Sequence, residues 1–255
     1  RLGRGEARAK VADGALEIDP VVVEMEGGAA RLAVSYRPRG DDVETRTRVD
    51  VKRFDYGVIA RHIKPDTDLA GTFSLDLDVA GRSPRLARTV ARGSGHIDLA
   101  VWPERLHAGV FDLWATNVFL AVLPALNADV TRVNCAIGEF DLADGVLRSR
   151  RVLIDTTNTR AEGSAVVDLP GNAIEARLVP QAKVPQFFAL ATPVEVSGTL
   201  EDFGVRVRPG DVFATAARWA TSLVVVPIRK LTETPPPADG SDVCAPVLRG
   251  GAGAK

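Results

Sequence analysis

"ADGALEIDPVVVE" at residues 12–24 returns, much altered, as "ADGVLRSRRVLID" at residues 143–155. In both copies Asp-Gly marks a turn, because glycine accepts a positive φ without a Cβ clash. Val21-Val22-Val23-Glu24 aligns with Val152-Leu153-Ile154-Asp155 at a constant offset. The next strand, carrying Leu32, Val34 and Tyr36, aligns with Ala165, Val167 and Leu169 after a two-residue insertion. The third strands, from Val43 and Ile174, return to the first offset. An insertion of two keeps the inward face inward, whereas an insertion of one inverts it. The reading is one meander of strands used twice.

Alternation with period two dominates the rest of the chain. Val43, Thr45, Thr47, Val49 and Val51 alternate with Glu44, Arg46, Arg48 and Asp50. Phe73, Leu75, Leu77 and Val79 alternate with Ser74, Asp76 and Asp78. The pattern recurs at Ile97, Leu99 and Val101, at Ile174, Ala176 and Leu178, at Val194 and Val196, and at Phe203, Val205 and Val207. Successive side chains of a strand point to opposite faces, so these runs predict a mainly antiparallel sheet, dry on one side and wet on the other. Turn clusters such as "PRGDD", "LPGN" and "RPGD" separate the strands.

Two stretches break the alternation and read as helices. Residues 107–126, "HAGVFDLWATNVFLAVLPAL", are apolar nearly all round. Residues 211–231 open on Asp211, a good N-cap, and close on Arg229 and Lys230, which suit a helix C-terminus. Ionisable residues, Pro124 and Pro227 argue against either being a membrane span. Both are expected to cover the sheet, with plugging a cavity or lying on a bilayer surface as the alternative. The expected organisation is a first β-meander over 1–106, the apolar helix over 107–126, and a second meander over 127–210. A terminal amphipathic helix over 211–231 and a proline-rich linker and tail over 232–255 follow.

Composition narrows the partners. The 255 residues are 45% hydrophobic and 25% charged with a net charge of −1, a folded protein without the positive field that would hold nucleic acid. Position 1 is Arg and no secretory signal is legible, so the chain reads as an excerpt whose anchor would lie upstream. The two cysteines, Cys135 and Cys244, lack companions at metal-ligand spacing, and spacing alone leaves open whether they pair.

Catalytic chemistry is not legible. His62, His96 and His107 sit in unrelated contexts, and "GSG" before His96 is a turn rather than a nucleophile elbow. Asp76 and Asp78 share a strand face, but among alternating charges they read as a solvated surface. The run Arg148 to Arg151 reads as exposed hairpin arginines, with lipid phosphate contact as the sharper alternative. No phosphate loop, dinucleotide fingerprint or zinc helix is present. A non-enzyme without metal or cofactor is expected. Aromatics make up only 5% of the chain and Met occurs once, so a large aliphatic face has little bulky material to cover it. Such a face must close into a sandwich, meet a partner or hold an apolar ligand.

An ordered set of short elements points to a family. Asn134-Cys135, Asp144-Gly145, Asp155-Thr156, Gly163-Ser164, Pro193-Val194, Ser197-Gly198 and Cys244 occur in the order and spacing that resemble the C-terminal region of the AsmA family. "LAGTFSLDLDVAGRSPRLARTVARGSGHIDL" at 69–99 is similar to that family's strand-turn-strand pattern. The chain departs from it after "SGTL", where Phe203 and Gly204 stand near the usual proline. The family is related to TamB, YhdP and the chorein-type bridge-like lipid transfer proteins.

The resemblance implies an elongated, curved β-groove that carries phospholipid between the membranes of Gram-negative bacteria and supports outer-membrane integrity. It further implies a periplasmic domain of a protein anchored in the inner membrane. It also implies a Cys135–Cys244 disulfide, since that compartment is oxidising. Under that reading the groove is lined by Val49, Val51, Phe73, Leu75, Leu77, Val79, Ile97, Leu99 and Val101 in the first half. In the second half the lining is Val152, Ile154, Ala165, Val167, Leu169, Ile174, Ala176, Leu178, Val194, Val196, Val205 and Val207. Phospholipid is the expected partner, with a membrane surface or envelope proteins besides. The competing expectation is a structural module that binds another envelope protein through its sheet edge or terminal helix.

Overall fold

The computed structural model describes residues 4–25, 28–84, 90–105, 133–157, 159–183, 193–207 and 243–245. The alternating runs form one open, curved antiparallel sheet of 12 strands in which spatial order follows chain order. The first six are β1 (Arg4–Ala12), β2 (Ala15–Met25), β3 (Gly28–Arg39), β4 (Asp42–Asp55), β5 (Ala70–Ser83) and β6 (Ser94–Arg105). The second six are β7 (Val133–Ala143), β8 (Val146–Thr156), β9 (Thr159–Asp168), β10 (Ala173–Ala182), β11 (Val194–Thr199) and β12 (Phe203–Val207). β6 pairs directly with β7, so the strands of both meanders belong to one sheet.

The repeat extends to backbone detail. Asp13 and Gly14 have φ of 52° and 73°, and Asp144 and Gly145 have 50° and 79°. Positive φ at both central residues is what a two-residue hairpin needs to match strand twist. Between Ile18 and Val21, β2 spends one residue more than either neighbour. β8 carries the corresponding bulge between Arg148 and Val152. Pro20 falls in the bulge of β2, a position where an interior strand tolerates a missing N–H.

The register corrects one expectation. Val21 opposes Leu32 as Val152 opposes Gly163, and Leu16 opposes Tyr36 as Leu147 opposes Val167. No insertion therefore separates β8 from β9; Leu32 corresponds to Gly163 and Tyr36 to Val167. The difference lies one connection later, where Tyr36 opposes Thr45 but Val167 opposes Ile174, a link two residues shorter. The change is again even, so the faces keep their sense.

The described residues hold one α-helix, α1 (Tyr56–Ile63), where the sequence reading assigned none. Asp55 caps it, its Oδ1 accepting from the Gly57 N–H at 2.7 Å, and Arg61 and His62 occupy the last turn. With eight residues it is shorter than a period-3.6 pattern needs to be visible. The Tyr56 hydroxyl donates to the Ala70 carbonyl at 2.9 Å, tying α1 to the start of β5. Burial is the main cause that pushes this phenol up to about 12. The expected helices at 107–126 and 211–231 lie outside the described residues.

Candidate functional site

Cross-strand pairing puts the expected lining residues of the strands on one face. One row runs Val51, Leu75, Leu99, Gly138, Val152, Gly163, Leu178, Val194 and Val207, each opposite the next. A second runs Val49, Leu77, Ile97 and Phe140. A third joins Phe73, Val101, Ala136, Ile154 and Ala161. Val79 lies in line with Gly95, Leu142, Leu147, Val167 and Ile174, while Ala165, Ala176, Val196 and Val205 form a shorter row. Leu169 lies in the turn after β9, outside the ladder.

The face is not uniform. Val49, Phe73, Leu75, Leu77, Ile97, Leu99 and Val101 remain half-buried, whereas Val51 and Val79 are buried. Toward β12 the face is sealed: Ile154, Val167, Ile174, Leu178, Val194 and Val196 are between 0% and 6% exposed. Val133, Ile154, Ala161, Leu178, Val194 and Val196 pack as one cluster, with Val152, Ala176, Phe203 and Val205 against it.

Sequence reasoning missed several members of the rows. Leu32 and Val21 extend the second row across β3 and β2, and Ala136, Phe140 and Leu142 supply β7. Their period-two signal is present in "CAIGEFDLA" but blurred, because Gly138 stands on the apolar face and Ile137 on the other. Phe140 turns its ring toward Gly138, where a Cβ would meet Cε2 at 2.7 Å.

The opposite face is charged. Arg46 holds Asp78 through two hydrogen bonds of 2.8 and 2.6 Å, and Arg48 adds a third at 3.3 Å. These partners, the Arg46 hydrogen bonds foremost, draw the Asp78 carboxyl below its ordinary value. Arg150, from the bulge of β8, bridges Asp98 and Asp141. His96 Nε2 lies 3.3 Å from Asp76, so both residues sit on the charged surface. A shallow concavity of about 520 Å³ spans β2 to β6, lined by Arg31, Arg48, Asp50, Asp76, Asp78 and His96 and also by Val22, Leu32, Val49 and Leu77. Among the described residues no group of three His, Cys, Asp or Glu side chains is placed to hold a metal ion.

An apolar island interrupts this charged face. Ala100, Cys135, Ile137, Leu153 and Cys244 are all 4% exposed or less, and Trp102 and Val243 pack against them. Cys135 and Cys244 form a disulfide with Cα atoms 6.3 Å apart, which fastens the segment Val243–Ala245 to the outer side of β7. Asp155, directly opposite Cys135, is fully buried. Its Oδ2 accepts from Asn134 Nδ2 at 2.8 Å and from Lys183 Nζ at 2.7 Å. Its Oδ1 is buried with no hydrogen-bond partner among the described residues. Leu153 on the island and Ile154 on the apolar face explain why "VLI" is continuously apolar: here both sides of the sheet are covered.

Comparison with known proteins places these features in context. No family model matches the chain, and no solved structure matches it. The AsmA family protein YhjG of Escherichia coli K12 is 23% identical over an alignment of 245 residues that covers 91% of this chain. The chain spans 34% of the length of that relative. The similarity supports AsmA family membership, and with the open sheet it fits a bridge-like domain of that family. No helix among the described residues is long and apolar enough to cross a membrane.

Proposed function

We propose, from the premise that this chain is a segment of an AsmA-family protein, that it is a non-enzymatic wall that holds phospholipid acyl chains. The observation that carries the reading is the half-buried patch of aliphatic side chains on β4, β5 and β6, aligned across the strands by register. Each methylene kept from water contributes about 0.8 kcal/mol, so a tail can leave a bilayer for such a surface at little net cost. The wall offers the tail no polar partner and does not touch the head, so selectivity for headgroups is weak. Catalysis is not required of any residue. As an envelope protein of this family the chain would work in the periplasm, between an inner-membrane anchor elsewhere in the protein and the outer membrane.

The test is whether lipid travels with the protein. Organic extraction and native mass spectrometry of the purified chain should recover phospholipid. Leu75→Glu, Leu77→Glu and Ile97→Glu should each reduce bound lipid several-fold while circular dichroism stays β-rich. Asp76→Ala, on the charged face, should leave loading unchanged. A chain that purifies empty and takes up no fluorescent phospholipid would refute the wall.

A second reading, an assembly module for another envelope protein, draws on β1, which is exposed along its whole length. An edge strand of this kind can accept a strand from a partner. Crosslinks from β1 to a stoichiometric protein, without lipid in the preparation, would favour it.

A further inference from the structure

We propose that Phe140 is the end stop of the acyl-chain site, halting at β7 a tail that lies across β4, β5 and β6; this rests on the wall reading and names the residue that bounds it. The geometry starts from the furrow between two apolar rows. Val51, Leu75, Leu99 and Gly138 oppose one another from β4 to β7, and so do Val49, Leu77, Ile97 and Phe140. Two residues separate the rows on every strand, which sets them roughly 7 Å apart. Carbon atoms touch at about 4 Å, so a furrow between ridges at this spacing seats a single polymethylene chain.

At β7 the furrow is crossed. Gly138 leaves its row without a side chain, and the Phe140 ring leans into that place. A Cβ on Gly138 would meet the ring at Cε2, Cζ and Cδ2, at 2.7, 3.4 and 3.6 Å. One aromatic side chain therefore spans both rows, and a tail that follows the furrow from β4 runs against it. Phe140 is half-buried, as are Leu75, Leu77, Ile97 and Leu99.

Beyond the ring the second row does not resume. Phe140 opposes Ser149, whose Oγ accepts from the Ala165 N–H at 2.8 Å beside the bulge of β8. The first row resumes as Val152 and Gly163, both half-buried, and is then closed by Leu178 and Val194 at 4% and 0% exposed. Without the ring, the furrow would extend over Gly138 to Val152 and Gly163 and end at Leu178.

The test maps where a tail rests. Phosphatidylethanolamine with a diazirine at the end of one acyl chain is loaded onto the purified chain, photolysed and traced by mass spectrometry after trypsin digestion. Cleavage at Arg148, Arg150 and Arg151 separates β7 from the peptides that begin at Val152. Wild-type protein should be labelled on β4, β5, β6 and Phe140, with residues 152–182 several-fold weaker. In Phe140→Ala, labelling of Val152 and Gly163 should rise several-fold, while Phe140→Trp should keep the wild-type map. Phe140→Leu, too short to reach across Gly138, gives the same reading should the alanine variant misfold by circular dichroism. Loss of packing alone would lower labelling on every strand and not move it forward. Strong wild-type labelling of 152–182, or a map that does not advance in the folded variant, would overturn the end stop and leave the wall standing. A protein labelled nowhere would refute the wall, and the stop with it.

Discussion

Asp78 shows how a charged residue is used on the wet side of this sheet. It stands directly opposite Arg48 on β4 and takes two hydrogen bonds from Arg46, one pleat away. Its carboxyl is held below the ordinary carboxylate range, chiefly by the Arg46 hydrogen bonds. A carboxylate with a depressed folded pKa stabilises the fold above its unfolded value, and that contribution is lost as pH falls through the folded one. Asp78→Asn should therefore cost about 1 kcal/mol or less at neutral pH, the usual scale for a partly exposed pair. The cost should vanish in denaturant titrations repeated at progressively lower pH below that carboxylate range. A loss that persists unchanged in acid would mean the site acts through packing.

At the scale of elements, the paired turns make a comparison that the protein itself has set up. Gly14 and Gly145 share a left-handed conformation, yet a Cβ on Gly14 would meet only Pro38 Cγ at 3.6 Å. On Gly145 it would lie 2.1 Å from the Ala91 carbonyl oxygen and 2.9 Å from Pro170 Cδ. The second turn is wedged between neighbouring connections, its N–H donating to Gly93 and its carbonyl accepting from Leu169. Gly14→Ala should cost about 1 kcal/mol, and Gly145→Ala roughly 3 kcal/mol because backbone must also move. Thermal melts of the two variants would show the difference.

These elements also show what can be read from residues alone. "TFSLDLDVA" gave its faces directly because no bulge or glycine disturbs the alternation between Phe73 and Val79. The bulges of β2 and β8 fall inside "EIDPVVVE" and "RSRRVLID", where the pattern changes phase without a punctuating residue common to both. The spurious insertion before β9 has another cause: Gly163 stands where Leu32 does, so the apolar run of β9 starts one pleat later and invites alignment two residues out of step. α1 escaped notice because one cap and two turns leave too little periodicity. The island around Cys135 was hidden for another reason: its cover arrives from the far end of the chain.

At the scale of the molecule, burial is graded. β1 is exposed at every position, whereas Leu153, Ala161 and Val194 are at 0%. Native-state hydrogen exchange should be fastest in β1 and slowest in β8 and β9, with protection tracking burial. Removing the disulfide by Cys135→Ala with Cys244→Ala should lower stability by at most about 4 to 5 kcal/mol, the chain-entropy limit for a loop of this length. Denaturant melts of the double variant would measure it. A change near zero would place the stability of β7–β12 in the strand ladder alone.

The strictly sequential strand order has one more consequence. With each ladder formed between neighbours in the chain, no crossover has to be threaded when material is added or removed. A gene can lengthen or shorten such a ribbon by copying or deleting one hairpin at a time, because a hairpin is two strands and leaves every later strand facing as before. Span then becomes a heritable dial, set by counting hairpins, and selection can tune it to a distance without redesigning the weave.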